Sequence, residues 1–307
     1  MTNQAVTPVV MLQNEYWQVG ILPGTGASIA FGRVQVGDRW RDVMRPTAEA
    51  DYGNSSKCSS FIMLPWCNRI KDAVLRFEGS EYVMERALDN GTARHGDVRQ
   101  RQWTIEAQSA AQIRMSIDLS NNPDRDYPFA FSAQAEYRLD EHDFVWVLTL
   151  KNEDTRPMPG GFGHHPYFVR SMDGDNAPIL TIPCSQQFEL ENALAVNPPV
   201  PIHPEVDFRH PRPVVGNGFD HVLTRRDEGD PARLEYPAWD VELLMYSDPI
   251  FKHFIVFTPA GGASVAVEPM SNVNDAFNLY ERGIQEAGVF VLQPGESISG
   301  EVRLTFA

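Results

Sequence analysis

Apolar and polar residues alternate along much of this chain with a period of two. In Gln112 to Leu119 the apolar positions are Ile113, Met115, Ile117 and Leu119. Ala133 to Asp140 repeats the pattern, and Trp103, Ile105 and Ala107 alternate with Thr104, Glu106 and Gln108. Val302, Leu304 and Phe306 alternate with Arg303 and Thr305 near the other end. Successive side chains of a strand point to opposite faces, so each segment predicts a strand with one face on a core and one outward. The apolar run Phe144 to Leu150 predicts a strand covered on both faces.

Turn residues separate these segments: Asn121-Asn122-Pro123, Pro159-Gly160-Gly161, Asn197-Pro198-Pro199, Gly216-Asn217-Gly218, Pro259 to Gly262 and Pro294-Gly295. Many short strands with such punctuation predict an all-β sandwich or barrel. The best helical signal is Val273 to Arg282, with Gly283 as its C-cap. The proline-rich stretch 197–213 predicts a surface loop. Neither a repeat nor a linker-like shift in composition divides the chain, which predicts a single domain over residues 1–307.

The chain has 307 residues, 42% of them apolar and 22% charged, as in an ordinary soluble globular protein. Its net charge of −15 argues against a nucleic-acid or anionic-membrane binder, which needs clustered Lys and Arg. No apolar run reaches the roughly 20 residues that span a bilayer. Met1-Thr2-Asn3-Gln4 lacks the basic and apolar regions of a signal peptide. Cys58, Cys67 and Cys184 are odd in number and contain no CxxC, so reduced, buried thiols and a cytoplasmic location are expected.

Several residues suit proton chemistry on a polyhydroxylated ligand. Asn68-Arg69 offers a planar fork of donors beside a mixed donor and acceptor, which fits vicinal hydroxyls. His95, beside Gly96, is a loop histidine able to exchange protons near neutral pH. Gly161 to Phe168 is dense in glycine, histidine and aromatics; its glycines allow close backbone approach, and Tyr167 can stack on a sugar's apolar face. The GxG there lacks the third glycine and the strand-to-helix setting of a dinucleotide site. His164 and His165 are adjacent, so on a strand they face opposite ways, which does not suit a shared metal. Asp220, after a Gly-Asn-Gly turn, can accept hydrogen bonds from hydroxyls. Glu268 ends the apolar segment Val265 to Val267, where partial desolvation can poise a carboxylate as a base.

Taken in order, Pro65-Trp66-Cys67-Asn68-Arg69-Ile70, Phe77-x-Gly79-x-x-Tyr82, His95-Gly96, His165-Pro166-Tyr167-Phe168 and Glu268-Pro269 followed by Asp275-Ala276-Phe277-Asn278 resemble the aldose 1-epimerase, or galactose mutarotase, family. The resemblance spans Pro65 to Ser297. It implies a large antiparallel β-sandwich, a galactose mutarotase-like supersandwich, acting on a small-molecule sugar without cofactor or metal. It implies Glu268 as catalytic base, His165 as catalytic acid, and His95, Asn68, Arg69, Asp220 and Tyr167 as supporting or sugar-binding residues. Galactose-active members carry Asn where this chain has His164, so the proton chemistry is implied while the sugar is left open.

Two rival readings remain at this level. One is a hexose-phosphate 1-epimerase of the same superfamily, with Arg69, Arg94, Arg99 or Arg101 at the phosphate. The other is a non-catalytic sugar-binding domain, disfavoured by the presence of both an acid and a base. On a strand Arg99 and Arg101 would share a face. The expectation is nevertheless that Arg94, Arg99 and Arg101 pair with the abundant surface carboxylates, and that a neutral aldose is preferred.

Overall fold

The structure is a computed structural model that describes residues 8–88, 90–170, 177–227 and 229–307; Met1 to Gln4 lie outside the described residues. It is built almost wholly of antiparallel strands. The larger sheet has nine, in the order Thr104–Gln108, Gln112–Asp118, Phe131–Asp140, Asp143–Asn152, Ser297–Phe306, Val241–Ser247, Ala232–Tyr236, Ile179–Thr181 and Arg212–Pro213. The second, eight-stranded, runs Val200–Pro201, Cys184–Phe188, Asp220–Arg226, His253–Phe257, Ser264–Met270, Gly163–His164 and Ile62–Met63, with Tyr167–Val169 also paired to Ser264–Met270. A four-stranded sheet, Val10–Gln13 to Arg39–Asp42, completes the main body.

The period-two segments become strands because each has a core to face. Along Gln112–Asp118, Ile113, Met115 and Ile117 are buried while Gln112, Arg114 and Asp118 are exposed. One apolar cluster joins the three sheets, with Phe131, Leu148 and Val302 from the first, Phe254, Val265 and Val267 from the second, and Val19, Ile29 and Val34 from the third. The rings of Trp146 and His164 meet across the sandwich at 4.9 Å. Each large side chain so buried contributes about 1.5–3 kcal/mol relative to exposure.

Four local expectations are corrected. Thr104–Gln108 is the outermost strand of its sheet, with a register shift between Ile105 and Ala107; it leaves Ile105 exposed, and only Trp103 reaches the core. Asp143–Asn152 is covered on both faces only from Phe144 to Trp146, after which Val147 and Thr149 are part-exposed. Pro159-Gly160 is not a turn but part of the strand Met158–Gly160, paired with Phe290–Leu292; a Cβ on Gly160 would meet the Phe290 ring at 2.5 Å. The 197–213 stretch is not loop throughout, since Val200–Pro201 and Arg212–Pro213 finish the ends of the two large sheets.

The helix is shorter than expected, Ala276–Glu281. Asp275, at its N-cap, has φ of 60°, which keeps the preceding residues out of the helix. Gly283, at φ 86°, closes it by donating its N–H to the Tyr280 carbonyl. The three cysteines are free and buried, as expected. Among the described residues no helix is long and apolar enough to cross a membrane.

Candidate active site

Strand parity builds the site. Ser264–Met270 is buried along its whole length, yet its two faces differ. Val265 and Val267 point into the sandwich, whereas Ala266 and Met270 belong to a second apolar cluster on the other side of the sheet, with Phe61, Tyr167 and Ile255. Glu268 is in phase with this second set. The register places Ile255 beside Glu268, and aligns Asp220, Phe257, Ala266 and Tyr167 in one row across four strands. Asp220, Phe257 and Tyr167 of that row, with Ile255 and Glu268, line a cavity of about 200 Å³.

The adjacent histidines separate by the same parity. His164 enters the core against Trp146 and Tyr137. His165 turns to the cavity, its backbone N–H donating to the Phe61 carbonyl at 3.0 Å. Gly163 lets this segment lie close to the Glu268 strand, for a Cβ there would meet the Pro269 carbonyl at 2.7 Å and Cys67 Sγ at 3.0 Å.

A loop closes over the floor. Asn68, at φ 50°, accepts the His95 N–H on its carbonyl at 2.7 Å, and Arg69 pairs with Arg94 across a two-residue ladder. Asp275 accepts the Lys71 N–H on Oδ1 and donates its own N–H to the Arg69 carbonyl. Asn278 donates to that Asp275 carboxylate at 2.7 Å. These two residues therefore hold the Asn68-Arg69 segment from the helix side. Gly96, at φ 75°, is required beside His95, since a Cβ would lie 2.2 Å from the Leu64 carbonyl oxygen.

All seven residues singled out from the sequence, Asn68, Arg69, His95, His165, Tyr167, Asp220 and Glu268, line this one cavity. So do Ser56, Phe61, Arg94, Arg99, Ala193, Ile255 and Phe257. Ser56, Phe61 and Ala193 carry no sequence signal for this. Ile255 and Phe257 do carry one: they alternate within His253–Phe257 in phase with the Asp220 and Glu268 face.

His165 Nε2 lies 3.1 Å from Glu268 Oε1. The His165 ring is framed by Phe61 at 4.5 Å, Tyr167 at 4.7 Å and, edge-on, His95 at 5.3 Å. His95 Nδ1 contacts Met63 Sδ at 3.0 Å. Removal from water raises the Glu268 carboxyl well above its ordinary value, and the Asp220 charge adds to this. Desolvation drops His165 to about 3 and His95 well below its usual range. Asp220 is more open; desolvation raises its carboxyl, and Arg69 and His221 oppose that. Glu268 Oε2 and His165 Nδ1 are buried without a hydrogen-bond partner among the described residues. Among the described residues no group of three or more His, Cys, Asp or Glu is placed to hold a metal ion.

The arginines depart from expectation. Arg101 does find a carboxylate: with Arg86 it binds the buried Asp97, at 2.7 Å. Arg99 and Arg101 do not share a strand face, because residues 97–101 form turns, and Arg101 does not line the cavity. Arg94 and Arg99 line the cavity, and neither makes an ion pair among the described residues. Arg99 donates from Nη1 to Ser56 Oγ at 3.3 Å and packs over Phe61 at 5.7 Å.

Comparison with known proteins bears on the family and the fold. The chain is 24% identical over 222 residues to the uncharacterized protein YihR of Escherichia coli K12, covering 71% of each. It is 24% identical over 280 residues to the uncharacterized protein YphB of the same organism, covering 86% of this chain and 90% of that one. The fold matches that of a GalM/aldose epimerase homologue from C. elegans with a TM-score of 0.83, at 16% identity over 98% of both chains. The profile of the aldose 1-epimerase family matches residues 8–305, nearly the whole chain, and the chain therefore belongs to that family.

Proposed function

We propose that the protein interconverts the α and β anomers of an aldose by acid–base opening and closing of the sugar ring. The observation that carries this is the 3.1 Å contact between His165 Nε2 and Glu268 Oε1 at the wall of a cavity rich in hydrogen-bond donors. The anomeric hydroxyl and the ring oxygen sit on one carbon. A base for the first and an acid for the second must therefore be neighbours, and these two are.

Glu268 takes the proton from the anomeric hydroxyl while His165 protonates the ring oxygen. The bond from the anomeric carbon to the ring oxygen breaks as the carbonyl forms. Rotation about the C1–C2 bond presents the other carbonyl face, and each proton returns as the ring closes. No electron is gained or lost. Burial raises Glu268 and lowers His165, which drives the carboxyl toward keeping a proton and the imidazole toward releasing one. Moving that proton across the contact onto His165 gives the acid and base that the reaction needs, without uptake from solvent. His95, kept neutral by burial, together with Asn68, Arg69 and Asp220, orients the hydroxyls. Each acid or base contributes about 10²–10⁴ in rate.

We also infer that residues 1–307 act as one domain, since the cavity draws on positions as distant as Ser56 and Glu268. Exchange spectroscopy by proton NMR on equilibrated sugars tests the activity. Anomer exchange above the buffer rate that disappears in Glu268→Gln supports the reading, and exchange equal to buffer for every aldose and aldose derivative overturns it.

A further inference from the structure

Among the described residues, Arg94 and Arg99 stand in the cavity without a counter-ion, in a chain that has no shortage of acids. Asp and Glu outnumber Lys and Arg by 41 to 26. The neighbouring Arg86 and Arg101 have found Asp97, and Arg156 has Asp154. Arg94, by contrast, keeps its Nε buried with no hydrogen-bond partner among the described residues, and Arg69 lies beside it across the ladder. Like charges crowd here: Arg94 is lowered first by desolvation and then by Arg69, and Arg99 is brought to about 10, first by desolvation and then by Arg94. Desolvated cations without partners are costly to maintain. A neutral sugar hydroxyl is a poor answer to two guanidinium groups, whereas a tetrahedral or planar anion meets their forked donors directly.

We propose that the substrate is an aldose bearing an anionic group on the carbon next to the ring-oxygen side, and that Arg94 and Arg99 bind that group. The position follows from the neighbours of His165: besides desolvation, the charges of Arg45, Arg99 and Arg94 act on its ring. Arg99 packs on Phe61, which in turn packs on His165 at 4.5 Å. His165 serves the ring oxygen, and this assignment rests on the anomer-interconversion reading given above. The carbon bonded to that oxygen on the far side from the anomeric centre carries the exocyclic C6 group of a hexose. A phosphate, sulfate, sulfonate or carboxylate there reaches the Arg94 and Arg99 side. The overall charge of −15 repels such an anion only at a distance, because salt screens it beyond about 8–10 Å, while the two arginines act at contact.

The test compares glucose with glucose 6-phosphate, glucose 6-sulfate and glucuronate by NMR exchange, in the intact protein and in Arg94→Gln, Arg99→Gln and Arg99→Lys. At least one anionic sugar is expected to exceed glucose in kcat/KM tenfold or more. Either glutamine variant is expected to cut that preference by about 10–100-fold, with partial recovery in the lysine variant, as for loss of charge-assisted hydrogen bonds. Which of the three is favoured identifies the anion. Equal rates on all four sugars, or a preference that survives both glutamine variants, overturns the proposal.

Binding of 1,5-anhydroglucitol 6-phosphate and its 6-sulfate, measured by calorimetry, separates this inference from the one beneath it. These compounds have no anomeric hydroxyl and undergo no mutarotation. Arginine-dependent binding without exchange of any sugar would leave the anion site standing and remove the epimerase reading. Glucose exchange with no binding of either compound would do the reverse.

Discussion

Nε2 of His165 and Oε1 of Glu268 are 3.1 Å apart, with their side chains 6% and 1% exposed. Burial acts on both groups in the direction of neutrality, lowering His165 to about 3 and raising Glu268. The His165 ring therefore takes up a proton from solvent only in acid, near its lowered value, and not in the range in which a free histidine titrates. The expected kcat profile shows no histidine step centred near pH 6.5. A sigmoid centred near the ordinary histidine pKa, measured by NMR exchange across pH 5 to 8, would show that the two groups titrate independently.

Glu268→Gln is expected to abolish anomer exchange while leaving sugar binding within a few fold. The amide keeps the shape and a hydrogen bond to His165 but takes no proton. Polarimetry of freshly dissolved sugar, with calorimetry for binding, checks both halves. Turnover near that of the unmodified protein would remove Glu268 from the role of base.

The two adjacent histidines should respond differently. His165→Asn is expected to lower kcat by about 100-fold or more, as for loss of a general acid. His164→Asn is expected to spare much of kcat and lower the melting temperature. His164 fills the sandwich core beside Trp146, and a smaller amide there leaves space and buried polar groups without partners. A larger loss of kcat from His164→Asn than from His165→Asn would reverse the assignment.

Much of this was legible in the chain, and the reasons are physical. Period-two alternation is a local property, so Gln112–Asp118 and Phe131–Asp140 could be read directly. The same parity separates His164 from His165 and sets Glu268 on the face opposite Val265 and Val267. What was not legible depends on partners far away in sequence. Ile105 alternates like a core residue, but its strand is the last in the sheet and nothing covers it. Gly160 reads as a turn residue, yet its role is to let Phe290 approach. Arg94, Arg99 and Arg101 are alike in sequence, and only the placement of Asp97 shows which of them is neutralised.

Gly96→Ala is expected to damage both stability and activity. Its φ of 75° disfavours a side chain, and the new Cβ would meet the Leu64 backbone at 2.2 Å. Backbone strain of this kind costs about 1–3 kcal/mol. Relief by movement of the loop would displace His95, whose N–H is held on the Asn68 carbonyl. A lowered melting temperature together with a raised KM is the expected pair of results. Unchanged values in both would show that the loop relaxes freely.

The last prediction concerns acid. His164 and His253 are each fully out of water, and burial lowers both to about 3. Neither ring nitrogen of either residue has a hydrogen-bond partner among the described residues. In the unfolded chain both regain an ordinary value near 6.5. The unfolded state therefore binds more protons than the folded one between about pH 6.5 and 3, which makes stability rise with pH there. The contribution is complete above the unfolded value and is lost as pH falls toward the folded one. Each histidine adds a slope approaching about 1.4 kcal/mol per pH unit well inside that window. His165 is excluded from this sum because Glu268, in contact with it, shifts the opposite way. Urea melts between pH 7 and 4.5 should show a steep loss of stability on acidification. His164→Phe, which keeps an aromatic ring in the Trp146 contact and cannot titrate, should reduce that slope by the share of one proton. An identical slope in this variant would mean that His164 is already protonated in the folded protein.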